Sequence, residues 1–157
     1  MIQVRPRTPA DDAALARLLE EMQAHYDRPC PPTDAVLRDL ATLPAGVTIL
    51  VAEIDVVIGF AAFSAIYPGP GLASGLFLKE LFVSSRFRRA GAGSLLMRAV
   101  AEYAVRHGHR RVDWTAARNN PRLLEYYEGL GALKQEDKVF FRLTGEALEA
   151  LAGVAKP

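Results

Sequence analysis

The sequence predicts an α/β fold in which a central twisted mixed sheet of about six to seven strands is flanked by helices on both faces. Three observations predict it. The 157 residues suffice for one domain with a substantial core. Strand-like and helix-like segments alternate along the chain. Near the middle, a glycine-containing turn joins a strand to a strongly amphipathic helix. We therefore expect residues 1–157 to form a single domain.

The first half predicts one strand, two helices and an antiparallel meander. The alternating strand IQVRPRT precedes a helix that Thr8 caps and Pro9 opens. The buried face of this helix consists of Leu15, Leu18, Leu19 and Met22. A proline-rich link, DRPCPPTD, leads to a second helix around DAVLRDLAT. Three neighbouring strands then follow in the runs GVTILVAEI, VVIGFAAFSAI and GLFLKELFV.

The second half predicts alternating helices and strands. In the helix SLLMRAVAEYA, polar residues recur every fourth position and apolar residues fill the opposite side. RRVDWTAA predicts a strand, and NPRLLEYYEGLG a short helix with Asn120 as its cap and Pro121 behind it. DKVFFRLT predicts another strand and GEALEALAG a last helix. The strand-helix-strand unit in the middle should be a parallel crossover, with its loop at the carboxyl end of a strand, where ligands bind.

The composition excludes several classes of protein. With 19 basic and 18 acidic residues, the chain has no overall field that favours nucleic acid or an anionic membrane. One cysteine, Cys30, cannot form an internal disulfide, and the amino terminus lacks an apolar signal region, so we expect a cytoplasmic protein. The charge-free run from Val56 to Leu78 is interrupted by YPGPG and predicts two strands rather than a membrane helix.

The stretch RRAGAG, directly before the central helix, is a candidate phosphate site. Glycine lets the backbone approach another group closely and adopt positive φ. Amides at a helix amino terminus, together with the helix dipole and arginine side chains, bind phosphate oxygens. The alternative is an ordinary glycine-containing turn with solvated arginines. The residues concerned are Arg88, Arg89, Ala90, Gly91, Ala92, Gly93 and Ser94.

This order of elements resembles the GNAT superfamily of acetyl-CoA-dependent N-acetyltransferases, whose signature is Gln/Arg-x-x-Gly-x-Gly/Ala at a strand-to-helix turn. Arg88, Gly91 and Gly93 fill that signature. LKELFV resembles the family's fourth strand. NPRLLEYYEGLGA resembles its Asn-x-x-Ala-x-x-x-Tyr-x-x-x-Gly-Ala segment, with Leu123 in place of alanine. Three linked segments are far more specific than the glycine loop alone.

A finer resemblance, to the diamine (spermidine/spermine) acetyltransferase branch, rests on LKELFVSSRFRRAGAG and FFRLTGEALEALA. Two positions depart from that branch. Lys79-Glu80 stands where the branch tends to have two adjacent carboxylates. Arg118-Asn119-Asn120-Pro121 stands where it has Trp-Asn-Glu-Pro. These departures disfavour a polycationic substrate.

The resemblance implies acetyl-CoA as cosubstrate and no metal. The loop from Arg88 to Ser94 would hold the diphosphate of CoA. Backbone groups of Leu81, Phe82 and Val83 would pair with the pantetheine arm, provided that their strand splays from its neighbour. Asn120 and Tyr127 lie seven residues apart on one face of a short helix, and both are assigned to the cofactor site.

Two residues are candidates for the chemistry. Glu80 is a carboxylate in an otherwise apolar strand, so it could take a proton from the amine directly or through water. Its alternative role is an ordinary ion pair with a nearby lysine or arginine. A tyrosine hydroxyl keeps its proton at neutral pH, and the resemblance assigns Tyr127 the role of protonating the CoA thiolate as it leaves. The alternative for Tyr127 is an aromatic core residue.

Candidates for binding the acceptor amine are Tyr26, Asp27, Glu80 and Asp113. The first two lie in the loop that lines the acceptor pocket in the family. Asp113 precedes Trp114 in a strand, so the two side chains lie on opposite faces, and Trp114 is assigned to the core. The three histidines, at positions 25, 107 and 109, lack metal-ligand spacing and are interpreted as structural.

These observations predict an N-acetyltransferase for the primary amine of a small molecule, acting by direct attack in a ternary complex. The resemblance implies a homodimer. Cys30 lacks the context of an acetyl-relay nucleophile. Three alternatives remain: acetylation of a protein or peptide amine, a non-catalytic module that binds acetyl-CoA for regulation, and a generic nucleotide-phosphate binding domain. The third needs no pantetheine arm and predicts tight ADP or ATP binding.

Overall fold

The computed structural model describes residues 1–154. It divides into two compact units, Met1–Thr115 and a second unit that begins at Ala116. The strands are β1 Gln3–Pro6, β2 Val47–Ile54, β3 Val56–Ile66, β4 Gly75–Val83 and β5 Val112–Asp113. The helices are α1 Asp12–His25, α2 Thr33–Ala41, α3 Ala92–Arg106, α4 Pro121–Gly129 and α5 Gly145–Leu151. The single domain over residues 1–157 stays a prediction.

The strands form one mixed sheet in the order β1-β2-β3-β4-β5. Strands β1 to β4 are an antiparallel meander, as predicted, and β5 lies parallel to β4 after the α3 crossover. This topology puts the β4–α3 loop at the carboxyl end of β4. The charge-free run from Val56 to Leu78 folds into β3 and β4, as predicted. Among residues 1–154, no helix is long and apolar enough to cross a membrane.

A charged network fixes the start of α1. The carboxylate of the buried Asp11 accepts hydrogen bonds from Arg5 at 2.8 and 2.9 Å and from the Thr8 N–H at 2.7 Å. The hydrogen bonds from Arg5, with smaller help from Thr8, outweigh the cost of burial and hold the pKa of Asp11 well below its usual range. Thr8 is the N-cap of a short 3-10 turn, Pro9–Asp11, which directly precedes α1, and the N-cap of α1 itself is Asp11. Because the network orients α1 on the sheet, it also places the residues at the far end of the helix.

Helices cover both faces of the sheet, as predicted. On one face, α1 and α2 pack against β2, β3 and β4. The buried cluster there consists of Leu15, Ala16, Leu18, Val36, Leu40, Val51, Phe60 and Phe82. On the other face lies α3, whose Leu96 is fully buried and whose Tyr103 ring lies 4.9 Å from the Phe63 ring of β3. Different side chains of β4 lie on the two faces of the sheet.

A β-bulge interrupts the pairing of β3 and β4. Ala62 lies opposite Glu80, whereas the next residue of β3, Phe63, lies opposite Leu78, so Lys79 is the extra residue. A bulge shifts the alternation of side chains along a strand by one position. Leu78 therefore shares the α3 face with Phe63. Glu80 shares the α1 face with Ala62, which packs against the α1–α2 cluster.

Strands β4 and β5 pair over a short length. Leu76 lies beside Val112 and Phe77 beside Asp113, where β5 ends. Strand β4 continues to Val83 without a partner from β5. Within the first unit, the second half of β4 is therefore paired with a strand on one edge alone. The splay that the resemblance implies at this edge stays a prediction.

The second unit contains α4 and α5 at the predicted places. Asn120 caps α4, because its Oδ1 accepts the Leu123 N–H at 3.2 Å. The predicted strand DKVFFRLT is wrong, since residues 137–144 form no strand, and Val139 and Phe141 are 73% and 87% exposed. β-rich side chains make a strand only where another strand supplies hydrogen bonds, and no strand within residues 1–154 pairs with this segment. The predicted six to seven strands are thus corrected to the five of the sheet.

Candidate active site

The β4–α3 loop has the backbone shape of an anion site. Gly91 is the N-cap of α3 with φ 86° and ψ 0°, and Arg89 also has a positive φ of 68°. Left-handed residues next to right-handed ones turn successive N–H groups toward one concave side. Since the left-handed region costs a residue with a Cβ about 1–2 kcal/mol, the surrounding structure must hold Arg89 in place.

The first turn of α3 borders open space. A Cβ built on Gly91 would meet no atom within 4 Å, and one on Gly93 would lie 3.8 Å from Leu81 Cδ2. The amides of a first helical turn, here those of Ala92 and Gly93, have no acceptor within the helix and carry the positive end of its dipole. The loop therefore fits a diphosphate, the group predicted for residues 88–94.

The side chain of Arg88 lies where the strand meets this loop. Its Nε donates to the Val83 carbonyl at 3.4 Å, and its guanidinium carbon lies 5.8 Å from the centre of the Phe82 ring. Arg88, Arg89 and Ala90 are all exposed. Two exposed cations thus flank the amides of the loop, and both are suited to phosphate oxygens.

The open edge of β4 leads directly into the loop. Leu81, Phe82 and Val83 pair with β3 on one side, opposite Ala61, Phe60 and Gly59. On the other side the ladder with β5 has already ended at Phe77. An unpaired strand edge offers alternating N–H and C=O groups, which an amide-containing arm can pair with as a further strand does. The predicted pantetheine site at these three residues therefore has a suitable backbone.

The structure brings together two side chains singled out in the sequence. Tyr26, at the end of α1, donates from its hydroxyl to Glu80 Oε1 at 3.1 Å. The bulge at Lys79 makes this contact possible by placing Glu80 on the α1 face. The ring of His25 lies 5.1 Å from that of Tyr26 and 6.2 Å from that of Phe82. Glu80, in the second half of β4, is thus a half-buried carboxylate that accepts a hydrogen bond from a tyrosine hydroxyl.

The other two acceptor candidates lie in different settings. Asp27 follows Tyr26 directly, is exposed and has a left-handed φ of 51°. Asp113 accepts a hydrogen bond from Arg111 Nε at 2.9 Å and pairs in the sheet with Phe77, three positions before Glu80. Trp114 is half-buried, whereas Asp113 is exposed, in agreement with their predicted opposite faces. Asp27 is next to Tyr26 in the sequence and so lies near the Tyr26–Glu80 pair. Asp113 is instead hydrogen-bonded to Arg111.

The remaining candidates belong to the second unit. Asn120 uses its side-chain oxygen as the cap of α4. Tyr127 lies two turns along the same helix, half-buried, with its ring 5.5 Å from that of Tyr126. The helix and its cap are confirmed, and the roles of both residues at the cofactor stay predictions.

One residue that sequence analysis does not single out contacts the loop segment. Glu21 of α1 accepts the backbone N–H of Ser85 at 2.7 Å. The only sequence signal is its position three residues after the buried Leu18, which puts a carboxylate at the border of the buried face of α1. No group of three or more histidine, cysteine or acidic side chains that could hold a metal ion occurs in residues 1–154.

A helix with a glycine N-cap directly after a strand that is paired on one edge is the arrangement that the family resemblance implies for a CoA site. Residues 13–132 match the model of the acetyltransferase (GNAT) family, and the chain belongs to this family. A solved structure, an integron cassette protein from the mobile metagenome of V. cholerae, is 30% identical with a TM-score of 0.81. That similarity covers 96% of this chain and 97% of the cassette protein.

Two enzymes from plants and animals are similar over part of their length. An L-ornithine N5-acetyltransferase of Arabidopsis thaliana, NATA1, is 38% identical over 96 residues, which are 61% of this chain and 42% of the relative. A thialysine N-epsilon-acetyltransferase of Bos taurus is 32% identical over 81 residues, 50% of this chain and 48% of the relative. The matched region thus spans somewhat less than half of each of these relatives.

Proposed function

We propose that the protein is an acetyl-CoA-dependent N-acetyltransferase for a small molecule with a primary amine. One observation carries the proposal: the open half of β4 links an anion-binding loop at its end to a carboxylate, Glu80, on its α1 face. The loop suits the diphosphate of CoA, the strand edge suits the pantetheine arm, and the carboxylate suits a cationic amine. A generic nucleotide-phosphate site would have no use for the open strand.

The residues divide the chemical work as follows. Acetyl-CoA supplies the acetyl group as a thioester, and the amine attacks it directly in a ternary complex. Glu80 accepts the proton that the amine must lose, either directly or through water, while Tyr26 holds the carboxylate by its hydrogen bond. The backbone of β4 polarises the carbonyl. Tyr127 donates a proton to the departing thiolate, a role that rests on the family resemblance of its segment.

We expect the acceptor to carry a short aliphatic amine. The names of the two curated relatives specify ornithine and thialysine, each with a side-chain amine. Two acidic residues lie near the carboxyl end of α1, the exposed Asp27 and the half-buried Glu80. Lys79, next to Glu80 in β4, adds a positive charge. This balance favours an acceptor with one or two ammonium groups over a long polyamine.

The proposal is tested by measuring thiol release from acetyl-CoA over a panel of amines. The panel contains ornithine and other diamino acids, diamines, polyamines, aminoglycosides, and peptides with free amino termini or lysines. Release with the diamino acids or diamines is the expected result. Thiol release with peptides alone would indicate that the acceptor is an amine of a protein or peptide. Acetyl-CoA binding without release would favour a regulatory module, and tight ADP or ATP binding without acetyl-CoA binding would contradict the proposal.

Glu80→Gln is expected to lower kcat/KM for the amine about a hundredfold at neutral pH, because the amide cannot accept the proton although it still accepts the Tyr26 hydroxyl. The KM for acetyl-CoA should change little. The measurement is the pH profile of kcat/KM for the amine.

A matched control for this variant is Asp55→Asn. Asp55 is an exposed carboxylate in the β2–β3 turn with a φ of 60°, a conformation that asparagine tolerates. If the pH profile of kcat/KM for Glu80→Gln coincides with those of wild type and Asp55→Asn, Glu80 does not accept the proton of the amine.

We also propose that the chain forms a homodimer and works in the cytoplasm. In support of the dimer, the second unit leaves several large apolar side chains exposed, namely Leu133, Val139, Phe140 and Phe141. Sedimentation velocity over a range of concentrations tests this assembly. A monomer at every concentration would contradict it.

A further inference from the structure

Two adjacent glutamates of α1 make different long-range contacts. Glu20 Oε1 accepts the hydroxyl of Thr33 at 2.6 Å and so joins α1 to the start of α2. Glu21 Oε1 accepts the backbone N–H of Ser85 at 2.7 Å, 64 residues further along the chain. Ser85 opens the short turn that follows β4 and precedes the anion-binding loop. Of the two carboxylates, only Glu21 is bonded to the segment that leads into this loop.

The segment at Ser84 and Ser85 is fixed from three directions. Ser84 is buried, and its N–H donates to the Ile58 carbonyl of β3 at 2.9 Å. The Phe87 N–H closes the turn by donating to the Ser84 carbonyl at 2.9 Å. The Glu21 carboxylate provides the third point. Arg88 follows immediately, so these contacts determine where the loop begins.

The far end of the loop is fixed as well. Ala92, the first residue of α3, is buried, and the Leu95 N–H donates to the Gly91 carbonyl at 3.1 Å. Between these two ends lies Arg89, which has to stay left-handed despite its side chain. A strained conformation persists only where its surroundings determine it strongly. Loosening one end would let the loop relax and move its amides and arginines.

The electrostatics agree with this geometry. Partial burial raises the pKa of Glu21. Hydrogen bonds from the Ser85 N–H and from the hydroxyls of Ser84 and Ser85, together with attraction by Arg88, outweigh that effect, and its pKa lies below the ordinary value. Glu21 is therefore ionised at neutral pH. Its charge strengthens the bond from Ser85 and attracts the guanidinium of Arg88 toward the start of the loop.

We propose that Glu21 is a positioning residue of the diphosphate loop: by holding Ser85 it presets the loop and Arg88 for the diphosphate of acetyl-CoA. This inference rests on the proposed function, because it needs that ligand at that loop. Glu21 touches neither acetyl group nor amine in this scheme. Its effect should therefore appear in the recognition of the diphosphate and not in the chemical step.

The test compares two acetyl donors. Acetyl-CoA carries the diphosphate, whereas S-acetylpantetheine has the same thioester and arm without it. Glu21→Ala should raise the KM for acetyl-CoA about tenfold, the effect of losing roughly one hydrogen bond to a charged phosphate oxygen, and should leave kcat within about twofold. The kcat/KM for S-acetylpantetheine should stay unchanged. Glu21→Gln keeps an acceptor for Ser85 and should fall between the alanine variant and wild type.

The matched control is Glu20→Ala, which removes a carboxylate from the same helix turn without touching the loop. Equal losses for Glu20→Ala and Glu21→Ala, or an equal loss with both donors, would mean that Glu21 acts only on stability and would overturn the proposal. If Glu21→Ala does not fold, the same comparison is made with Glu21→Gln. Failure of the proposed function would look different, because wild type itself would then not bind acetyl-CoA.

Discussion

Gly91→Val is expected to weaken acetyl-CoA binding by about a hundredfold or more. Gly91 has a φ of 86° at the start of α3, and its Cβ position faces open space beside the first helical amides. Side-chain atoms there would occupy the volume needed by phosphate oxygens and deny them hydrogen bonds worth about 1.5–3 kcal/mol each. The measurement is the Kd of acetyl-CoA by titration calorimetry, with Gly91→Ala as a milder variant.

The same substitution also strains the backbone, so the two effects must be separated. Gly46, in the turn before β2, has the same φ of 86° and likewise no atom within 4 Å of a built Cβ. Gly46→Val should therefore lower the free energy of unfolding by a similar amount, about 1–2 kcal/mol, without changing the Kd of acetyl-CoA. If Gly91→Val binds acetyl-CoA as tightly as Gly46→Val does, the diphosphate does not lie at this loop.

Local patterns predict much of this fold. The run GLFLKELFV coincides with β4, because β-rich residues are bounded there by a proline- and glycine-containing turn on one side and a polar loop on the other. The polar residues repeated every fourth position place α3, and all four of them, at positions 94, 98, 102 and 106, are exposed. In both cases the signal lies within a single element, which is why sequence alone reveals it.

The position of Glu80 could not be predicted in the same way. Simple alternation along β4 would place Glu80 on the same face as Leu76 and Leu78. The bulge at Lys79 reverses this, and a bulge depends on the register with β3, a pairing between distant residues. Its consequence, the contact with Tyr26, joins residues 54 positions apart. The sequence identifies both side chains as candidates but does not show that they meet.

The wrong prediction of a strand at residues 137–144 has a related cause. Val139, Phe140 and Phe141 have high strand propensity, yet propensity reports how well a side chain fits a sheet surface that is already present. The described residues supply no partner strand for this segment. Likewise β5 is shorter than RRVDWTAA suggests, because its pairing with β4 stops at Asp113. Within the first unit, the early end of β5 also leaves the second half of β4 without a neighbouring strand on that edge.

Tyr127→Phe is expected to lower kcat about a hundredfold, the lower range for loss of a general acid, while the Kd of acetyl-CoA stays within about twofold. The phenylalanine keeps the ring beside Tyr126, so packing of α4 should change little. Without a proton donor the thiolate has to leave as an anion, which raises the barrier of the chemical step and not the energy of binding. The measurements are kcat from thiol release at saturating substrates and the Kd of acetyl-CoA by titration calorimetry.

The adjacent tyrosine supplies the control for this prediction. Tyr126 has the same side chain on the same helix and is 39% exposed, but it lies about 100° away around the axis and is assigned no part in the reaction. Tyr126→Phe should retain wild-type kcat. Equal kcat in wild type and Tyr127→Phe would show that the thiolate leaves without help from this hydroxyl. Equal losses in both tyrosine variants would instead point to the packing of α4, because an acid acts through one hydroxyl and a disturbed helix responds to either substitution.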